Sequence, residues 1–221
     1  MTKLKIDDLL NLNETIASSA FDGLSYAWEV LPKLREYIIE LGASLSEDEY
    51  LKVSEDVWIS RSAIVAPTAS IDGPTIIGHK AEVRHCAYIR GSVIIGELTI
   101  VGNSTELKNT LLFNEVQVPH YNYVGDSILG YKAHIGAGGI TSNVKSDKTL
   151  ITVNVDGEHF ETTLRKFGTI LGDNVEVGSN SVLNPGSVVG RGSNVYPLSM
   201  VRGYIPPNSI YKRQGEVVKK R

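Results

Sequence analysis

From Ile59 to Gln117 one chemical pattern returns every six residues, and a chain that keeps this period has few ways to fold. Apolar residues stand at Ile59, Val65, Ile71, Ile77, Val83, Ile89, Ile95, Val101, Leu107 and Phe113. Small or short residues follow four places later at Ala63, Ala69, Thr75, Ala81, Ala87, Thr99 and Thr105. A strict hexapeptide period specifies a solenoid. The phase slips by one residue twice, near Pro119 and Val124, and resumes at Leu129 and Ile135. It returns at Leu171, Val177, Leu183, Val189, Val195 and Val201, so one all-β solenoid is expected over residues 51–212.

Each six-residue step reads as a short strand and a turn, with its apolar residue inward and a small or glycine residue at the bend. No single repeat buries its own face. Stacking coils about 4.8 Å apart buries a continuous aliphatic core and pairs the backbone between coils.

The repeat leaves residues 1–50 for anything else, and these read as helical from 4 to 42. Leu31, Leu34, Ile38 and Leu41 make one apolar face, Pro32 suits the first turn, and Gly42 is read as the stop. A helical cap over the exposed solenoid end, or against a neighbouring subunit, is the expected role. Between Ser142 and Gly168 the rhythm disappears. Two alternating β-prone segments joined by Asp156-Gly157 predict a β-hairpin inserted over about 146–166. A basic tail is expected over 213–221.

The net charge of −3, without a basic stripe, argues against nucleic acid or an anionic membrane as partner. Cys86 is the single cysteine, no apolar run reaches spanning length, and Met1 to Asp8 lacks a signal-peptide core, so the cytoplasm is the expected compartment.

Two features carry chemistry. His120 interrupts the phase in Val-Pro-His-Tyr-Asn-Tyr-Val-Gly-Asp, which places an imidazole at a corner where it suits a general base. Arg90 and Lys108 both follow an inward residue and are three hexapeptides apart. With three hexapeptides per coil they stack about 4.8 Å apart and repel unless an anion, a phosphate or diphosphate, lies against them or Glu106 neutralises them.

Ile89-Arg90-Gly91, Val101-Gly102-Asn103 through Glu106-Leu107-Lys108, residues 118–126 and Ile135-Gly136-Ala137-Gly138 carry a resemblance over roughly 57–205. They resemble the hexapeptide-repeat acetyltransferase domain of the bifunctional N-acetylglucosamine-1-phosphate uridylyltransferase/glucosamine-1-phosphate acetyltransferase, and the C-terminal domain of related sugar-1-phosphate nucleotidylyltransferases. The resemblance implies a left-handed parallel β-helix, a homotrimer with sites between subunits, acetyl-CoA as donor and an amino-sugar phosphate or nucleotide sugar as acceptor. It implies His120 as catalytic base. It implies Arg90, Lys108, Tyr123, Asn143 and Lys166 as acceptor contacts, Ala137 and Ser179 as donor contacts, and Lys212 or Arg213 near the CoA phosphates. His134, Val144 and Pro197 depart from the pattern. Two other readings are a non-catalytic sugar-nucleotide binder and a zinc hydratase of the γ-carbonic-anhydrase kind. The latter is tempted by His85 and His120 but lacks a histidine at Gly125; no obligatory metal is expected.

Overall fold

The computed structural model describes residues 4–155 and 157–220. The hexapeptide pattern builds a left-handed parallel β-helix, a prism whose short strands stack in three walls. Thr75–Ile77, Val93–Ile95, Thr169–Leu171 and Ser187–Val189 belong to the first wall. Glu82–Val83, Ile100–Asn103, Gln117–His120, His134–Ile135 and Glu176–Val177 belong to the second. Tyr88–Ile89, Ile140–Thr141, Val182–Leu183 and Met200–Val201 belong to the third. The longer strands Glu106–Leu112 and Tyr123–Leu129 turn the corner from third wall to first.

Strand register shows which apolar residues point inward. Ile77, Ile95, Leu112, Leu129, Leu171, Val189 and Ile205 form one vertical row, all at most 1% exposed. Val83, Val101, Val118, Ile135, Val177 and Val195 form the second, and Ile89, Leu107, Val124, Thr141, Leu183 and Val201 the third. Burying one such aliphatic chain is worth about 1.5–3 kcal/mol. The short residues at the bends close the corners: the hydroxyls of Thr99, Thr105 and Thr110 donate to the carbonyls of Phe113, Val118 and Val124 one coil on.

The first phase slip falls earlier than the sequence pattern placed it. Ile95 pairs with Leu112, not Phe113, because Lys108-Asn109 spans a turn that Arg90-Gly91-Ser92 makes with one more residue. The turn from Val124 to Ser127 has the same short length. Phe113 is buried for another reason: its ring sits edge-on to Phe21, 6.1 Å between centroids, under the N-terminal segment.

That segment also differs from expectation, because it lies along the first wall rather than over the solenoid end. The outward residues of this wall, Ile76, Ile94, Leu111, Ile128, Ile170 and Val188, are all buried. A 3-10 turn Ala27–Lys33, closed by Glu29 reaching back to the Tyr26 amide (2.8 Å), leads into the α-helix Leu34–Ser44. Trp28 packs on Phe167, and Tyr26 on Phe160 of the hairpin. At the open first coil, Ile59, Val65 and Ile71 stay half-buried.

Gly42 does not stop the helix, which runs on to Ser44. A Cβ at Gly42 would collide with the buried Trp58 ring, so glycine here permits close approach. Gly42→Ala should therefore lower stability by about 1–3 kcal/mol, overpacking outweighing the gain of about 1 kcal/mol in helix propensity. Urea unfolding reads this as a lower midpoint; an unchanged or higher midpoint would show that the helix does not depend on this contact.

The inserted hairpin pairs Thr152–Val155 with Glu158–Glu161, shorter than its β-prone sequence. Its turn residue Asp156 lies outside the described residues. Stacking resumes across the insertion, with Ile128 paired to Ile170. The tail is more ordered than expected: Glu216–Lys219 folds back antiparallel on Ser209–Arg213 around Gly215 (φ +79°). Arg221 lies outside the described residues.

Candidate active site

Polar side chains gather at two corners of the prism, either side of the third wall. In several coils the corner between third and first walls has a left-handed residue, supplied as glycine at Gly91, Gly186 and Gly203 (φ +81°, +78° and +79°). In the two shortened coils Asn109 and Asp126 take that place (φ 48° and 47°). Asn and Asp tolerate this conformation better than other side-chain-bearing residues.

Asp126 is the hub of this corner, with only 5% of its side chain exposed. The Lys108 ammonium lies 3.3 Å from its Oδ2, the Asn109 amide donates to Oδ1 at 2.9 Å, and the Asn143 amide donates to Oδ2. Asn143 also donates to the Tyr123 hydroxyl at 3.2 Å. Burial, then the Asp126 charge, push the Tyr123 phenol up, so it remains a neutral hydroxyl. The return from the hairpin is tied to the same place: Phe167 N–H donates to Asn143 O (3.0 Å) and Gly168 N–H to Asp126 O (2.8 Å). Lys166 precedes them, exposed and without a hydrogen bond or ion pair on its ammonium among the described residues.

Arg90 and Lys108 do occupy neighbouring coils, the Arg90 amide donating to Leu107 O at 2.9 Å. They do not form an uncompensated pair. Arg90 binds Glu106 at 2.7 Å, both well exposed, while Lys108 turns inward to Asp126. Each cation has its own carboxylate, both contributed from the next coil, so the repulsion that called for an external anion is absent. Glu106, the neutralising alternative offered by the sequence, pairs with Arg90 alone, while Asp126 and Asn109 received no role from the sequence pattern. Asn109 and Asp126 stand at the corner position where other coils carry glycine, which is the signal that could have found them.

The corner between second and third walls holds the other residues. Following the register, Asn103, His120, Ala137, Ser179 and Pro197 form one vertical column. Arg213, two residues beyond the Val195–Tyr211 pair, continues it. His120 is exposed, its backbone held by Asn122 (3.2 Å) and Gly138 (3.0 Å), and no hydrogen bond engages its imidazole among the described residues. Buried Asn122 braces the corner by donating to Gly136 O at 2.8 Å. Gly136 must lack a side chain, because a Cβ would press on Ser179 N at 2.8 Å. Ser179, Pro197, Tyr196, His134 and Lys220 line a shallow cleft of about 460 Å³ on the second wall, where His134 Nδ1 meets Glu176 at 2.7 Å. Lys212 and Arg213 share Glu216, at 3.1 and 2.8 Å, and hold its carboxyl below the usual range.

The structure thus brings together Lys108, Tyr123 and Asn143 with Lys166 beside them, and separately aligns His120, Ala137, Ser179 and Arg213. Tyr123, three residues after His120, stands on the wall between the groups. His85 and His120 lie two coils apart in one column, and His85 is bound to Thr68 at 2.6 Å. Among the described residues no cluster of three or more His, Cys, Asp or Glu has metal-holding geometry. No helix there is long and apolar enough to cross a membrane.

A hexapeptide β-helix with the residues singled out from its sequence on two prism edges defines the class. Within it, the chain belongs to the GMPPB C-terminal domain family, whose model matches residues 71–191. It is 38% identical over 136 residues to the bifunctional protein GlmU of Methanococcus vannielii, an alignment covering 61% of this chain and 33% of that one. It is 29% identical over 166 residues to the bifunctional sugar-1-phosphate nucleotidylyltransferase/acetyltransferase of Sulfurisphaera tokodaii, covering 72% and 41%. The chain therefore spans about a third to two-fifths of these relatives' length. A solved hexapeptide transferase family protein from Anaplasma phagocytophilum aligns over 75% of this chain and 80% of its own, at 18% identity and a TM-score of 0.42.

Proposed function

We propose that this protein is an acetyl-CoA-dependent N-acyltransferase whose acceptor is an amino-sugar phosphate or nucleotide sugar. The observation that carries the reading is His120, an exposed imidazole with no partner among the described residues, in one column with Ala137, Ser179 and Arg213 and one wall away from the Lys108–Asp126–Asn143–Tyr123 cluster. The names of the curated relatives, which include an acetyltransferase, support it.

In this reading the sugar rests against Tyr123 and Asn143, and the exposed cations Arg90 and Lys166 meet its phosphate. Arg90 is held by a solvent-exposed pair with Glu106 and by a loose cation–π contact with the exposed Tyr88 ring (6.0 Å), both weak and exchangeable. His120 takes a proton from the acceptor amine as its nitrogen bonds to the acyl carbon. The carbon–sulfur bond of the thioester breaks, and the imidazolium returns the proton to the departing thiolate. The thioester arm runs along the cleft beside Ser179, with Arg213 toward the phosphate end.

The two edges are one wall apart in the chain, and the working form is read as a homotrimer in which the His120 edge of one copy meets the Tyr123 edge of the next. Tyr121 and Leu198 on the His120 edge are 65% and 81% exposed, and Ile140 and Met200 on the third wall 39% and 51%. Apolar groups gathered this way mark an association surface. A cytoplasmic location, where acetyl-CoA is at hand and Cys86 stays reduced, completes the proposal.

The test is thiol release from acetyl-CoA with glucosamine 1-phosphate and UDP-linked amino sugars, beside light scattering at micromolar concentration. The expected result is acceptor-dependent release by a particle of three chains. No release with any amino-sugar acceptor would reject the enzyme reading in favour of a binding protein, and a monomer would reject a shared site.

A further inference from the structure

Below the Asp126 cluster, on the same prism edge, the hairpin stands off the coils and leaves a cleft of about 440 Å³. Two glycines form its floor. A Cβ at Gly186 would come within 2.7 Å of the Ile151 side chain and 3.0 Å of Thr152 O, so the hairpin strand can cross there only over glycine. Its outer wall is the loop before the hairpin, braced internally: Lys145 donates to Thr149 Oγ1 (2.7 Å) and Leu150 O (3.2 Å), and Asp147 accepts from Thr149. Those charges are spent on the wall itself.

One charge in the cleft is not spent. Arg202 lines it, is exposed, and has no hydrogen bond or ion pair on its guanidinium among the described residues. By register it continues the column of Arg90, Lys108, Gly125, Ser142 and Asn184. It lies two coil steps, about 10 Å, from the coil of Ser142 and Asn143, with Asn184 between, and three steps from the coil of Asp126. Lys108, in contrast, is neutralised by Asp126. Beyond Lys166, which stands beside the Asp126 cluster, this edge therefore carries a second unpaired cation in the hairpin cleft.

We propose that this cleft is a second recognition subsite that takes an anionic extension of the acceptor, Arg202 supplying the charge and Ser142 and Asn184 the neutral hydrogen bonds. This rests on the reading that the reacting sugar sits at Tyr123 and Asn143. A single phosphate attached directly to that sugar does not reach two coils away, so the acceptor carries a longer anionic arm. A diphosphate and a uronate carboxylate share this chemistry.

Isothermal titration on the full chain with three probes separates them: glucosamine 1-phosphate, UDP-glucosamine, and a glucuronyl-glucosamine 1-phosphate disaccharide. At least one extended probe is expected to bind wild type more tightly than glucosamine 1-phosphate, and which one does identifies the arm. Arg202→Ala should weaken that probe by about 10- to 100-fold, the effect of a lost charge-assisted hydrogen bond. It should leave glucosamine 1-phosphate within twofold, with Arg202→Lys recovering part of the loss. Equal weakening of short and extended probes, or wild type binding neither extended probe more tightly, would overturn the proposal. Because the readout is binding, a protein that shows this pattern yet never acetylates the probe would refute the catalytic reading and leave the subsite standing.

Discussion

Replacing His120 by Ala lowers acyl transfer by about 100- to 10,000-fold, the range for losing a general base, while melting temperature and subunit number stay unchanged. Structural innocence follows from the geometry. The imidazole is exposed and unbonded, and the corner is held by backbone contacts to Asn122 and Gly138 that alanine keeps. Steady-state rates with acetyl-CoA and the best acceptor give the first quantity, and thermal melts and light scattering the others. If turnover survives, His120 is only a corner residue and the proton is removed by another group. If the melt drops by several degrees, the loss of rate says nothing about catalysis.

The second large effect falls on stability. Reading Arg90 and Lys108 as a repelling pair predicts that removing Lys108 relieves the fold. The structure predicts the opposite, because Lys108→Ala strips a carboxylate that is 5% exposed of the one cation paired with it among the described residues. Asn109 and Asn143 still donate to Asp126, so the cost is about 1–3 kcal/mol rather than that of an entirely orphaned buried charge. For a chain of this size that is a fall in melting temperature of roughly 2–4 °C per kcal/mol. Adding Asp126→Asn to Lys108→Ala should recover most of the loss, giving a coupling that neither single change shows. Melts of the two single variants, the double variant and the parent decide between the readings. A Lys108→Ala protein as stable as the parent, or more so, would mean that solvent already screens Asp126.

Much of the fold was legible because a β-helix writes the same packing requirement into every coil, so Ile77, Ile95 and Leu129 announce one row before any contact is known. Phe113 misled for a related reason. Apolarity says that a side chain is buried, not whether the coil interior or an outside segment buries it, and Phe21 does the latter. Gly42 was read through its backbone freedom when its role is to admit the Trp58 ring, a contact between residues 16 apart in the chain. At the site, His120, Ala137 and Ser179, named from the resemblance, lie in one column by strand register. The partners of Lys108 did not show, because a hydrogen bond from coil to coil depends on which turn loses a residue, and that depends on a phase misplaced by a few positions.

The segment lying along the first wall also restricts how the molecule meets others. A three-walled prism offers three faces to any neighbour, and residues 27–44 leave two, which share the edge that bears His120. Whatever docks laterally must touch one of those walls or straddle that edge. The N-terminal segment, remote from the chemistry, thus acts by exclusion: it selects the seam along which copies can join before any residue of the seam has been chosen. Changes in its packing would be felt as altered assembly geometry sooner than as altered reactivity.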